Sequence, residues 1–306
     1  MRVLVEQAVA NKRRSAAVAA VFAGVMAVVT LALGLALGGG PASVVLAVLV
    51  AGGLVTTAWW WSAKVVLAMS HARCVEPAEE PRLHNVVEGL CAAAGVPKPE
   101  VYVVEDEALN AFATGRDPRH SAVVVTTGLL AGLSRIELEA VLAHELTHVK
   151  NLDILASTLA ATMVGGVALV GDWALRFLWW GGPRHRDDQH RARPGPAAVV
   201  AVVAVLPLLL APVAARLMRL VVDRRREAEA DVNGVSLTRY PPGLISALEK
   251  LRAGPTVVHS GSPGTAHLWI ANPVPRRDSE GRLAWLGRLF DTHAPLEERI
   301  QALREL

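Results

Sequence analysis

This sequence is short of charge and of cysteine. Only 19% of its 306 residues are charged, against about a quarter in an ordinary soluble domain. The shortage is concentrated in four stretches without an ionisable side chain: Ser15 to Leu37, Ser43 to Trp61, Ile154 to Gly171 and Ala197 to Ala215. Each approaches the roughly 20 residues that a helix needs to cross a hydrocarbon core. The sequence therefore predicts about four transmembrane helices, and a soluble protein with four such buried helices is the poorer explanation. There are two cysteines, Cys74 and Cys91, neither in a CxxC pair. That argues against a disulfide framework and fits a reduced compartment. The net charge is only +3 and no stripe alternates basic with aromatic residues, so no nucleic-acid partner is expected. No repeat of 20–50 residues is visible.

What is there divides the chain into four parts. Residues 1–69 read as an N-terminal transmembrane hairpin. Residues 154–222 read as a second hairpin, inserted between two polar blocks, 70–153 and 223–306, that fold together on one face of the bilayer. The first apolar run is longer than a signal-peptide core and a second follows it at once, so it reads as an uncleaved anchor. Lys12, Arg13 and Arg14 precede that pair of runs, and Lys64 and Arg73 follow it. Because Lys and Arg beside spans prefer the cytoplasm, the expected location is the cell membrane, multi-pass, with both polar blocks inside. The arginines of residues 184–193 lie on the other side in that scheme, against the same tendency. Asp172 and Arg176, beside Trp173, Trp179 and Trp180, resemble an interfacial belt.

Within the first block, "RLHNVVEGLCAAAG" predicts a helix closed by Gly95. "EVYVVED", "NAFATG" and "SAVVVTTG" predict strands, the last two separated by the turn-like "RDPRH". Ser134 and Glu137 form a capping-box pattern ahead of "IELEAVLAHELTHVK". This helix is expected to run on through Asn151 and Asp153 into the third apolar run. The second block is more helical, with "RRREAEADVNG" and "PLEERIQALREL". The fold class is thus mainly α with a small β-sheet, an α+β domain combined with about four membrane helices.

His144 and His148 are four residues apart and share one helix face. Two imidazoles one turn apart can hold a zinc ion, and Glu145 beside the first can serve as general base toward a bound water. A catalytic zinc site needs a third protein ligand. Glu227 and Asp231 are also four apart, so the first could bind the metal while the second fixes a ligating histidine. Glu229 is the competing candidate. At about 100° per residue it points roughly 200° away from Glu227, whereas Asp231 lies only about 40° from it. The geometry selects Glu227.

These blocks, together with "NAFATG", "VTTGLL", "HLWIANP" and "FDTHAPLEERIQAL", resemble the HtpX-type membrane zinc metalloproteases, relatives of the CAAX-prenyl endoproteases. The likeness covers most of residues 70–306. It implies a zincin fold with one zinc ion per chain on His144, His148 and Glu227, Glu145 as base, and an active site facing the cytoplasm. It also implies that His293 and Arg299 lie near the site as catalytic residues able to stabilise an oxyanion. Asn110, Ala111, Phe112 and Ala113 would form an edge strand binding extended polypeptide substrates by main-chain hydrogen bonds. The expected activity is endopeptidase cleavage of polypeptides, membrane proteins foremost, at the surface of a lipid bilayer, in quality control. A processing protease dedicated to one lipidated or signal-bearing substrate is the alternative. A silent scaffold with structural zinc is disfavoured, because closed sites use four protein ligands.

Overall fold

Helices here begin and end where local chemistry demands it. The computed structural model describes residues 2–36, 42–163, 224–261, 264–273 and 295–306. Outside those residues lie His293, the third apolar run beyond residue 163, the whole fourth run, Asp172, Arg176 and the arginine-rich loop.

Two long apolar helices come first, α1 (Arg2–Ala36) and α2 (Ala42–Met69), packed on each other. A two-residue strand β1 (Arg73–Cys74) leads to α3 (Pro81–Ala94). Pro81 suits the first helical turn, and Gly95, at φ 69°, takes the left-handed cap that glycine adopts without steric cost. Strands β2 (Glu100–Val104), β3 (Ala111–Asp117) and β4 (His120–Thr126) follow. Helix α4 (Thr127–Gly132) starts where the Thr126 hydroxyl accepts from Leu129 N, and α5 (Arg135–Asn151) starts in the expected capping box of Ser134 and Glu137. Buried Glu137 also accepts from Ser246 and Lys250 of a later helix, tying the start of α5 to the second block.

One expectation is corrected at the end of α5. The helix does not continue into the third apolar run. Leu152 adopts φ 60° and ψ 29°, its N–H caps the His148 and Val149 carbonyls, and a new helix α6 (Ile154–Met163) departs from the elbow. A leucine in the left-handed region costs about 1–2 kcal/mol, so the elbow is held by what it achieves around it. It swings Asp153 back toward α5 and lays α6 against α1, where Val18, Leu155, Ala156, Leu159, Ala160 and Met163 form an apolar cluster. Asn11 of α1 adds a bond from Nδ2 to the Asn151 carbonyl.

After the undescribed stretch come α7 (Arg224–Thr238), α8 (Pro241–Ala253), a 3-10 turn at Ala266–Leu268 and α9 (Leu296–Arg304). The sheet order is β1-β2-β4-β3, with β2 and β4 parallel and the other pairs antiparallel. The protein is therefore mainly helical around one small mixed sheet. One continuous core joins α3, the sheet, α5, α8 and α9. Both cysteines are free, Cys91 within that core. Among the described residues one helix, Val44–Met69, is long and apolar enough to cross a membrane, fewer than the four spans expected.

Candidate metal centre

The site is made where α5 and α7 cross. Gly234 of α7 faces α5 so closely that a methyl there would lie 3.0 Å from His144 N and 3.2 Å from its Cα. That close approach puts Glu227, about two turns earlier on α7, opposite the two histidines. His144 Nε2 and His148 Nε2 are 3.3 Å apart. Glu227 oxygens lie 3.7 Å from each of them. Tetrahedral zinc with bonds of about 2.0–2.1 Å separates its ligand atoms by roughly 3.3–3.4 Å, so the three groups fit a zinc ion with little adjustment.

The outer contacts say which atoms face the metal position. Asp231 Oδ1 is 2.8 Å from His144 Nδ1, and Asp153 Oδ2 is 3.0 Å from His148 Nδ1. A carboxylate only accepts, so both Nδ1 atoms carry the proton and both Nε2 atoms present lone pairs to each other and to Glu227. Three electron-rich atoms converging in a partly buried space need a cation or a proton between them. Burial alone would lower the His148 pKa, yet the Asp153 carboxylate outweighs it and pushes it up to about 10.

Asp231 is itself braced. Arg299 of α9 donates from Nε to Oδ2 at 2.8 Å and from the second terminal nitrogen to Oδ1 at 2.6 Å. Its remaining terminal nitrogen reaches the Ile270 carbonyl at 3.3 Å and lies 3.7 Å from Glu227. Burial would raise the Asp231 carboxyl, but the guanidinium beside it holds it well below the usual carboxylate range. Arg299 therefore touches the site from behind, with most of its donors committed to Asp231 and Ile270. Glu145 is buried, and burial pushes its carboxyl up, with Glu227 adding to the rise. Glu229 turns away and pairs with exposed Arg225 at 3.6 Å.

Among the described residues strand β3 is an edge strand, flanked by β4 alone, but its first residues are covered. Asn110, Ala111 and Phe112 are wholly buried, and Ala113 nearly so. The Asn110 amide donates to the Thr256 and Ala271 carbonyls and accepts from Ala271 N. Ile270 N donates to the Ala111 carbonyl, and Trp269 stacks edge-on to Phe112 with ring centroids 4.6 Å apart. At the far end Thr158 Oγ1 receives Gly115 N. By the alternation of the ladder, Ala113 is the outward-facing position between these two closures.

Reasoning from sequence gave no site role to Asp153 or Gly234, and it did not foresee that residues 269–271 cover the start of β3. Asp153 carried no signal, because in a continuous helix the fifth residue after His148 points about 140° away from it.

Comparison with known proteins bears on the chain as a whole. The model of peptidase family M48 matches residues 77–306. A protein named protease HtpX homolog from Tropheryma whipplei is 46% identical over 245 residues, 80% of this chain and 79% of its own length. Its namesake from Limosilactobacillus fermentum is 39% identical over 305 residues, 99% of this chain and all of its own. Among solved structures, Ste24p of S. mikatae shares the fold, with a TM-score of 0.50 at 18% identity over 98% of this chain and 67% of that one.

Proposed function

Because the chain belongs to peptidase family M48, we propose that it is a zinc metalloendopeptidase that cleaves polypeptides, membrane proteins among them, at the cytoplasmic surface of the cell membrane in quality control. The observation that carries this reading is the convergence of His144 Nε2, His148 Nε2 and the Glu227 carboxylate, spaced 3.3 and 3.7 Å apart. These three residues would hold the metal. When bound, zinc supplies Lewis acidity and brings the pKa of its water down to about 7. Glu145 takes the proton of the attacking water and returns it to the leaving amine. Burial, by raising its proton affinity, suits it to accept. Asp231 and Asp153 keep the two imidazoles in the ligating tautomer. Arg299 positions His144 by holding Asp231, and the family likeness supports a catalytic role for His293.

Residues 70–153 and 223–306 act as one catalytic domain, with 1–69 and 154–222 as its membrane hairpins. The membrane reading draws support from α2 and from the short path out of the site. Five residues separate His148 from Ile154 across the elbow at Leu152, and α6 then enters an apolar cluster with α1. A cleft at that height meets the loops of membrane proteins as they leave the bilayer. An extended substrate would bond to the Ala113 edge of β3.

Replacing the base without touching a ligand tests the assignment. Glu145→Gln abolishes casein digestion by the detergent-purified protein while its metal content, by elemental analysis, stays at one zinc per chain. Retained activity, or metal loss equal to the loss of activity, would overturn the roles given to Glu145 and the three ligands.

A further inference from the structure

The exposed apolar surface of α2 ends in a run of three tryptophans. Val44, Val45, Leu46, Val48 and Leu49 are exposed, and so are Trp59, Trp60 and Trp61. Immediately after them the helix turns into the protein. Ser62 and Val66 are buried, and Val66 and Leu67 join a core cluster with Phe112 and Trp269. Indole rings at the end of an apolar helix face mark the level where hydrocarbon gives way to headgroups.

A second element reaches that level. Arg116, at the end of β3, places its guanidinium 4.1 Å from the Trp60 ring centroid, a cation–π distance. Lys64 lies 5.9 Å from the Trp61 ring. The turn beyond Arg116 is internally organised. The Asp117 carboxylate accepts from Arg119 N, His120 N and His120 Nδ1, and it sits 3.4 Å from Arg116 Nε. The one acid of the turn is thus occupied by the turn itself, while the Arg119 side chain is exposed.

From this juxtaposition we propose that the β3–β4 turn (residues 116–120) rests in the headgroup layer beside Trp60 and binds anionic phospholipid headgroups through Arg116, Arg119 and Lys64. The proposal rests on the reading above that α2 crosses the membrane. What favours a lipid surface is continuity, since the cations adjoin the rings at the border of the lipid-facing apolar surface. Each cation near an anionic leaflet strengthens attachment by about fivefold. The consequence is a sheet anchored at one end. Strand β3 would stand with its last residues in the interface, and Ala113 would be about 10 Å further from it along the strand.

The test uses the full chain in vesicles of equal parts phosphatidylglycerol and phosphatidylcholine. Cys74→Ser removes the exposed thiol, and single spin labels go on Arg119→Cys, on Val48→Cys in α2 and on Glu88→Cys in α3. Collision with a water-soluble nickel chelate should rank Glu88 highest, Arg119 intermediate and Val48 lowest. An Arg119 label as accessible as the Glu88 label, with Val48 protected, would overturn the proposal and leave the membrane reading standing. A Val48 label as accessible as Glu88 would overturn both. In a second measurement, the unlabelled Arg116→Gln/Arg119→Gln protein should bind headgroup-labelled phosphatidylglycerol in micelles roughly 25-fold more weakly than wild type. Equal binding, or displacement of the lipid by inorganic phosphate alone, would also overturn it.

Discussion

Arg299 offers the most discriminating perturbation in the site. If it served only to stabilise an oxyanion, Arg299→Ala would lower turnover and leave the resting protein unchanged. The geometry gives it a different burden. It makes two charge-assisted bonds to Asp231 and one to the Ile270 carbonyl, and both Arg299 and Asp231 are buried. Alanine would leave the Asp231 carboxylate in the interior with the neutral His144 Nδ1–H still beside it. Removing one member of a buried pair costs about 3–5 kcal/mol. The surviving histidine bond argues for the lower end, about 3 kcal/mol. At roughly 2–4 °C per kcal/mol for a catalytic domain of this size, the apparent melting temperature in detergent should fall by about 6–12 °C. His144 would also lose its fixed orientation, and zinc affinity, read by competition with a chelator, should drop about ten- to a hundredfold. Melting and zinc affinity are read in a Glu145→Gln background, where no proteolysis intervenes, and kcat is read with Glu145 in place. Arg299→Lys should recover only part of the loss, since one ammonium cannot span both carboxylate oxygens as the guanidinium fork does. Pairing Asp231→Asn with Arg299→Leu should recover stability by removing both charges, though not zinc affinity. An Arg299→Ala protein with wild-type melting and zinc affinity but reduced kcat would refute this reasoning and return Arg299 to the transition state.

Three further outcomes follow from the same site. Glu227→Ala should strip zinc and activity together, whereas Glu229→Ala, which loses a pairing with exposed Arg225, should keep both; the reverse pattern in elemental analysis would overturn the ligand assignment. Asp153→Ala should weaken zinc binding about ten- to a hundredfold while the metal returns at saturating concentration, and unchanged affinity would show that His148 needs no partner at Nδ1. Leu152→Gly should raise stability by roughly 0.5–1 kcal/mol by relieving the left-handed leucine, visible as a higher melting temperature; a fall would mean that the contacts of the leucine side chain outweigh its backbone strain.

The parts of this protein that could be read from sequence are those set by local spacing. Two pairs of residues four apart, His144 with His148 and Glu227 with Asp231, announce two helix faces, and the structure turns these faces toward each other. Ser134 with Glu137 and the glycine at position 95 mark helix ends by their own chemistry. What stayed hidden depends on partners distant in the chain or on a residue acting against type. Nothing in a leucine proclaims a left-handed cap, so the elbow at Leu152 was invisible, and with it the role of Asp153. Asn110 was assigned to substrate binding by resemblance. In the structure its amide is held by Thr256 and Ala271, contacts across about 150 residues that no periodicity encodes. The bracing of Asp231 by Arg299, 68 residues away, is hidden for the same reason.

Gly234 sets the tolerance of the whole centre. Glu227 lies seven residues before it on α7, a lever arm of about 10 Å. With no side chain between Gly234 and the His144 backbone, the two helices approach closely there, and that point can be treated as a fulcrum. A tilt of only about 5° about such a fulcrum would carry the Glu227 carboxylate through roughly 0.9 Å, several times the approximately 0.2 Å within which metal–ligand distances must fall. The hydrogen atom in place of a methyl group at one position on α7 thus works as a gauge block, converting the contact distance of two backbones into the bond lengths of a metal two turns away.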